Sequence, residues 1–204
     1  MIGSAFPLLS AMIGLPTLAA IVCLFAEGRT ARWIALLATL ATFALGCLAW
    51  ASFDLGGAQW QFVEQMPIVG TFGWAMGIDG IALMLIMLTV FLMPICIGAS
   101  WTSITDRVGL YMACFLFMEA LMIGVFAAQD LILFYIFFEA GLIPMYLIIG
   151  IWGGANRIYA SYKFFLYTLL GSVVMLIAMI WMVAAAGTAD IPTLMQTDFS
   201  AEAQ

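Results

Sequence analysis

Histidine is absent from the sequence, and the cysteines are few and irregularly spaced. The four of them, Cys23, Cys47, Cys96 and Cys114, lie inside apolar runs and form no C-x-x-C motif. Haem iron and iron–sulfur clusters are held by His and Cys side chains, and metal-binding or disulfide-bonded cysteines show recognisable spacings. The pattern therefore indicates no haem, no cluster, no other metal site and no disulfide on this chain.

Charge is scarce as well. Charged residues make up 8% of the chain and hydrophobic residues 67%, whereas a soluble domain carries about 25% charged residues. This composition excludes a soluble domain and predicts a polytopic membrane protein. The net charge of −6 says little about partners, and we expect a lipid bilayer rather than nucleic acid around the chain.

Ser/Pro-rich linkers and internal repeats are also missing, so we expect one all-α membrane domain over residues 1–204. The first apolar run is long and has no basic residue before it, which indicates a retained helix rather than a cleaved signal peptide. Hydropathy predicts six transmembrane helices. They cover residues 5–26, 32–53, 78–101, 108–128, 131–152 and 162–186.

The basic residues predict the orientation of these helices. Arg29 and Arg32 lie between the first two spans, Arg107 lies between the third and fourth, and Arg157 and Lys163 lie between or beside the last two. All of these connections fall on one side of the membrane, and the other side has no Lys or Arg. By the positive-inside rule the basic side is cytoplasmic, and both ends of the chain are outside.

The outer connection at residues 54–77 contains the alternating segment QWQFVEQ, which is typical of a short amphipathic hairpin. An equally supported alternative places Trp60, Phe62 and Trp74 in an interfacial aromatic belt. Asp79 follows at the start of the third span, where we expect its carboxylate to cap the free N–H groups of the helix rather than to act in function.

The stretch from residue 129 to residue 163 carries the strongest functional signal. It is long enough to cross a bilayer, yet Glu139 lies about 13 Å from Asp130 along a helix, close to the middle of the hydrocarbon. An acid at that depth costs about 2.5 kcal/mol or more, and such acids usually belong to an ion path. Pro144 removes a backbone donor nearby, so we expect the helix to kink beside the acid.

The polar atoms of this span share one helix face, which we expect to be turned towards other helices and away from lipid. The alternative for Glu139 is a neutral buried acid that is bonded to a neighbouring helix and has no transport role. The residues of the face are Tyr135, Glu139, Leu142 and Tyr146.

A second acid, Glu119, lies in the fourth predicted span. The fourth and fifth spans join through a tight connection ending at Asp130, so they are antiparallel neighbours, and Glu119 reaches nearly the depth of Glu139. Two acids in one layer of low dielectric constant do not easily ionise together, which favours a proton site. An acid bonded to a neighbouring backbone is the alternative for Glu119.

Lys163 lies at the cytoplasmic start of the sixth predicted span, about 20 Å from the depth of Glu139. A direct ion pair between them is therefore out of reach. Snorkelling of the Lys163 ammonium to the interface is the simpler interpretation. A role for Lys163 as the inner end of a polar path is the other.

Two segments resemble a known family: GIDGIALMLIMLTVFLMPICIGASW at 77–101 and DLILFYIFFEAGLIPMYLIIGIWGGANRIYASYKFFLYTLLGSVVMLIA at 130–178. They are similar to subunit M of bacterial NADH-quinone oxidoreductase, respiratory complex I, which is called subunit 4 in mitochondria. The F-E-x-x-x-x-P core formed by Phe138, Glu139 and Pro144 is shared with sister subunits and with multisubunit sodium/proton antiporters. The DGIALMLIMLT and PICIGASW pieces point to subunit M.

The resemblance implies that the chain is the amino-terminal portion of an antiporter-like fold with inverted repeats. It also implies that Glu139 is a key residue of a proton channel, which works with a lysine on a seventh helix beyond residue 204. Glu119 matches a second acid on the fourth helix of that family, and Lys163 aligns with a basic residue near the start of its sixth. A hairpin before the third helix is a family feature too.

The resemblance further implies partners and cofactors. NAD, FMN, iron–sulfur clusters and quinone are expected in other subunits of the complex, with no cofactor on this chain. The expected location is the bacterial cytoplasmic membrane, or the mitochondrial inner membrane if the chain is organellar. The favoured function is proton translocation coupled to quinone reduction elsewhere in the complex. The alternatives are a subunit of a multisubunit sodium/proton antiporter and a scaffold whose acids only fix helix packing.

Overall fold

The computed structural model of the chain describes residues 7–69 and 72–199, and within these ranges it is helical apart from one antiparallel hairpin. Six helical segments in these two ranges are long and apolar enough to cross a membrane. The predicted polytopic helical class is therefore confirmed. The helices are α1 (Leu8–Phe25), α2 (Gly28–Ser52), α3 (Gly80–Ala99), α4 (Val108–Ala127), α5 (Leu131–Ala140), α6 (Leu142–Trp152), α7 (Arg157–Ala186) and α8 (Ile191–Leu194), and the strands are β1 (Gln61–Val69) and β2 (Phe72–Ile78).

Several boundaries differ from the hydropathy prediction. The fifth predicted span is two helices, α5 and α6, with a break at Gly141. The sixth begins at Arg157 rather than at residue 162, and the second begins at Gly28 rather than at residue 32. Polar residues in the first turns lower the local hydropathy, although the backbone there is already helical. The predicted start of the first span at residue 5 lies outside the described residues.

Helix α4 is the centre of the bundle, because it packs against α1, α2, α3, α5, α6 and strand β2. Helix α7 is the opposite case: it packs on α5 and α6 and leaves most of its apolar surface exposed. Small residues allow close helix contacts, as is usual in membranes. On α2, for example, Ala31 and Ala35 are fully buried, and a Cβ on Gly46 would lie 2.9 Å from Val90 Cγ2 of α3.

The hairpin is joined to the bundle by backbone hydrogen bonds. The Gln129 N–H donates to Ala75 O of β2 at 2.8 Å, in the short extended connection between α4 and α5. On the other edge of this connection, Leu131 N–H donates to Ala189 O at 2.8 Å, and Ile191 N–H donates to Gln129 O at 2.8 Å. The predicted hairpin therefore exists, and it forms one layer with the α4–α5 and α7–α8 connections.

Trp74 of the hairpin contacts two helices of the bundle. Its Nε1–H donates to Ser10 Oγ at 2.9 Å, and its ring meets the Phe137 ring edge to face, with the centroids 5.8 Å apart. The half-buried Trp74 side chain thus joins the hairpin to α1 and α5. Asp79 caps α3 as predicted, since its Oδ1 accepts from Ala82 N–H at 2.7 Å.

The connections that carry the basic residues meet at the opposite end of the bundle. Arg32 Nη2 donates to Ile104 O at 2.8 Å, which ties α2 to the α3–α4 connection. Trp152 Nε1–H donates to Asp106 O at 2.9 Å, which ties the end of α6 to the same connection. One end of the molecule is therefore basic, and the hairpin layer lies at the other.

Candidate functional site

Both intramembrane acids are positioned by the tight connection between α4 and α5. The Asp130 carboxylate caps α5, because its Oδ1 accepts from Ile132 N–H at 2.9 Å and from Leu133 N–H at 3.0 Å. From this connection, Glu119 lies about 12 Å back along α4 and Glu139 about 12 Å forward along α5, at ~1.5 Å per residue. The two carboxyl groups are therefore at similar heights on neighbouring helices.

Glu119 is the more deeply buried of the two acids. Its side chain is 0% exposed, and neither carboxyl oxygen has a hydrogen-bond partner among the described residues. An ionised carboxylate is costly in such apolar surroundings, and a proton removes that cost. The alternative in which Glu119 is bonded to a neighbouring backbone finds no support in these contacts.

Glu139 is half-buried and lies in the last turn of α5. Its Oε2 is buried without a hydrogen-bond partner in the described part of the chain. The break at Gly141 follows directly, as the Gly141 N–H still bonds Phe137 O at 3.2 Å. Pro144 has no N–H to offer the Ala140 carbonyl four residues earlier, which explains why the helix is interrupted beside the acid.

A close approach between α4 and α5 lies near this pair. A Cβ on Gly124 of α4 would lie 2.6 Å from Cδ1 of Phe137, so only glycine leaves room for the ring. Phe137 is two residues from Glu139 in α5. Glycine at position 124 therefore sets the distance between the two helices that carry the acids.

The predicted polar face of the fifth span is only partly turned inward. Leu142 is buried, while Tyr135, Glu139 and Tyr146 are half-buried. Tyr146 packs edge to face on Phe165 of α7, with the ring centroids 5.5 Å apart. Tyr135 lines an apolar pocket of about 250 Å³ between α5 and α7. The face therefore looks towards α7.

Lys163 lies inside α7, about 9 Å beyond its first residue, and not at the start of the helix as predicted. Its side chain is exposed, and its Nζ lies 5.8 Å from the centroid of the Tyr159 ring, one turn closer to the basic end. This cation–π contact holds the ammonium towards the interface. A lysine that snorkels and a lysine at the inner end of a polar path would both lie towards this end of the helix.

Two polar residues of the hairpin layer were not singled out from the sequence. Glu64 of β1 caps α1, with its Oε1 accepting from Leu9 N–H at 2.8 Å and its Oε2 from Ser10 N–H at 3.1 Å. Gln129 is 2% exposed, and its Nε2 has no partner among the described residues. The alternating pattern of the hairpin places Glu64 on one strand face, but nothing local shows that this face meets α1.

Comparison with known proteins agrees with this architecture. Residues 11–128 match the family model described as NADH-ubiquinone oxidoreductase chain 4, amino terminus, and residues 128–204 match the model described as NADH:quinone oxidoreductase/Mrp antiporter, TM. NADH-quinone oxidoreductase subunit M of Rhodobacter capsulatus is 56% identical over 85% of this chain and 34% of its own length. NADH-ubiquinone oxidoreductase chain 4 of Arabidopsis thaliana is 44% identical over 96% of this chain and 41% of its own length.

A solved structure shows the same fold. A chain of respiratory complex I from Thermus thermophilus superposes with a TM-score of 0.79 at 32% identity, over 96% of this chain and 40% of that chain. The present chain thus spans about a third to two-fifths of the length of its relatives.

Helical spans, a broken fifth span and the structural match define the class: a multi-pass membrane protein that corresponds to the amino-terminal part of an antiporter-like fold. Within that class, the chain belongs to the NADH-ubiquinone oxidoreductase chain 4 family, whose bacterial members are named subunit M.

Proposed function

We propose that this chain is part of a proton-translocating, antiporter-like membrane subunit of NADH:quinone oxidoreductase. The relatives that share its sequence carry the names of that enzyme, in bacteria and in mitochondria. In this proposal, quinone reduction takes place elsewhere in the complex and drives proton movement through the helices described here.

One observation carries the proposal: two acids stand at similar heights on neighbouring helices without hydrogen-bond partners for their buried oxygens among the described residues. A structural acid in a membrane is normally paired, because an unpaired polar group costs free energy in hydrocarbon. A carboxyl group that takes up and releases protons needs surroundings in which neither state is held too firmly.

We assign the principal role to Glu139, because it is only half-buried and lies beside the break in the helix. Glu119 is the second proton-binding group, deeper in the bundle. Lys163 is a third candidate, at the basic end, where it would form the inner mouth of the path. Free backbone groups at a helix break also attract ions and water, as they do in other membrane transporters.

The remaining features of the proposal concern the surroundings of the chain. Residues 1–204 form one membrane domain in an inner membrane, with the basic end cytoplasmic and the amino terminus outside. NAD, FMN, iron–sulfur clusters and quinone act on partner subunits, and this chain performs no redox step. Its partners are other membrane subunits of the complex and the surrounding lipid.

The sodium/proton antiporter alternative has weaker support. The carboxyl-terminal family match includes antiporters in its description, but the amino-terminal match and the relatives carry the names of the quinone oxidoreductase. Co-purification of the full-length subunit with a flavin- and iron–sulfur-containing partner separates the two functions.

The proposal is tested with Glu139→Gln in the full-length subunit, assembled in its complex in proteoliposomes. The amide keeps the shape of the side chain but cannot be protonated in the same way, so proton uptake driven by NADH should collapse. Glu139→Asp should keep part of the uptake, and Glu119→Gln should lower it less than Glu139→Gln does.

The matched control is Glu27→Gln, which makes the same change at an exposed acid that forms no side-chain cap on α2. It should pump normally. Normal pumping by an assembled Glu139→Gln complex would return Glu139 to the scaffold interpretation.

A further inference from the structure

The basic end of the bundle contains a pocket that the proton path does not use. It has a volume of about 590 Å³ and lies where the first turns of α2 meet the connection between α3 and α4. Pockets of this size hold small ligands or ligand headgroups. The lining residues are Arg29, Arg32, Trp33, Trp101, Thr102 and Thr105.

The two arginines give the pocket its charge. Arg32 is half-buried, and its bond from Nη2 to Ile104 O fixes the guanidinium at the pocket wall. Its Nε is buried and has no hydrogen-bond partner among the described residues. Arg29, one turn earlier on α2, is exposed. Two guanidinium groups on one helix face bind phosphate well, because their planar N–H groups match its oxygens.

No acid lines the pocket to neutralise these charges. Glu27 precedes α2 and Asp106 lies in the α3–α4 connection, but neither is among the lining residues. The pocket also adjoins the amino-terminal turn of α2, whose partial positive charge favours an anion. Hydroxyl groups of Thr102 and Thr105 supply further donors.

The tryptophans show at which depth of the membrane the pocket lies. The rings of Trp33 and Trp101 meet edge to face with their centroids 5.3 Å apart, and Trp33 is 50% exposed. Tryptophan is enriched at the level of the lipid headgroups. From there towards mid-membrane, the exposed side chains Leu37 of α2 and Ile95 of α3 continue an apolar surface.

We propose that this pocket binds the phosphodiester of an anionic glycerophospholipid, with the acyl chains along α2 and α3. A free phosphate ion would satisfy the arginines equally well, but it would leave the adjoining apolar surface unused. Basic pockets between transmembrane helices on the cytoplasmic side have the chemistry that anionic headgroups require. The site does not depend on the proposed proton path.

The test uses the purified complex that contains the full-length subunit. It is stripped of lipid, titrated with dioleoylphosphatidylglycerol or dioleoylphosphatidylcholine, and examined by native mass spectrometry for retained lipid. Arg29→Gln should weaken retention of one phosphatidylglycerol about fivefold, since one basic residue near an anionic surface contributes about that factor. Arg107→Gln removes the same charge at the same end, outside the pocket, and should retain the lipid as the wild type does.

Three results would overturn the proposal. The first is equal retention of phosphatidylglycerol by wild type and Arg29→Gln, and the second is equal retention of the two lipids by wild type. The third is displacement of phosphatidylglycerol by inorganic phosphate at matched concentration, which would make the pocket a site for soluble phosphate. Trp33→Phe, which keeps both charges, should retain the preference for phosphatidylglycerol.

Discussion

Glu64 shows how a single residue on the hairpin stabilises a distant helix. Its carboxylate accepts hydrogen bonds from the backbone N–H groups of Leu9 and Ser10 in α1, which precede Glu64 by 55 and 54 positions. It also accepts a hydrogen bond from Ser10 Oγ. The residue before α1, Pro7, provides no side-chain cap of its own. The first turn of α1 therefore depends on the hairpin.

At this scale we predict that Glu64→Ala opens the first turn of α1. Loss of a cap costs about 1–2 kcal/mol, so hydrogen exchange at Leu9 and Ser10 should become roughly 5 to 30 times faster. Exchange measured by mass spectrometry on the assembled complex reports it. The neighbouring exposed residue provides the control, since Gln65→Ala should leave exchange unchanged; equal acceleration in both variants would mean that the hairpin acts as a whole and not through this carboxylate.

Caps differ in how well they can be read from the sequence, because some are local and others are not. Asp79 lies three residues before its main donor, and its role as a cap was predicted correctly. Glu64 binds a helix that precedes it by more than fifty residues, and only the tertiary structure shows this. Glu119 lies between these two cases in how well its burial could be predicted. Hydropathy predicts its depth in the membrane, but not that its helix is the centre of the bundle.

At the scale of helices, the contact between α4 and α5 is set by Gly124. We predict that Gly124→Ala pushes the two helices apart, because the new Cβ would overlap the Phe137 ring. Overpacking of this kind costs about 1–3 kcal/mol, and the midpoint of thermal unfolding of the complex should fall accordingly.

Gly14→Ala is the matched control on α1, because a Cβ there meets nothing within 4 Å. It should leave the midpoint unchanged or raise it, as alanine favours a helix over glycine. Gly124→Ala combined with Phe137→Leu should recover part of the loss. Unaltered stability of Gly124→Ala alone would show that the ring moves aside without cost.

The helix ends illustrate what hydropathy measures and what it does not. A window average reports apolar composition, so the sixth span was predicted to begin at residue 162, after the polar segment around Asn156 and Arg157, although the backbone is helical from Arg157. The interruption of the fifth span was expected from Pro144. The break lies at Gly141 and not at the proline itself, because Pro144 has no N–H for the carbonyl of Ala140, four residues earlier.

For the whole molecule, the distribution of charge predicts orientation. Single cysteines at Thr30 and Ser103, in a cysteine-free background, should react with an impermeant reagent only from the cytoplasm, and one at Gln65 only from outside. All three positions are exposed in the structure. Reaction of Thr30 and Gln65 from the same side would contradict the proposed topology.

The class, the number of spans in the described residues and the similar height of Glu119 and Glu139 could be predicted, because composition and helical rise determine them directly. The layer that joins β2 to the α4–α5 and α7–α8 connections could not, since its hydrogen bonds link segments far apart in the chain. The same holds for the pocket at Arg29 and Arg32, where the start of α2 meets the α3–α4 connection about seventy residues further along the chain.

The central claim is that the intramembrane acids exchange protons during turnover. Infrared difference spectroscopy of the full complex, with and without NADH, tests it most directly. We predict a carboxyl C=O band that changes on turnover, disappears in Glu139→Gln, and persists with a shift in Glu139→Asp. If the Glu139→Gln complex turns over and its difference spectrum keeps every carboxyl band of the wild type, Glu139 does not change its protonation during catalysis, and the account is wrong.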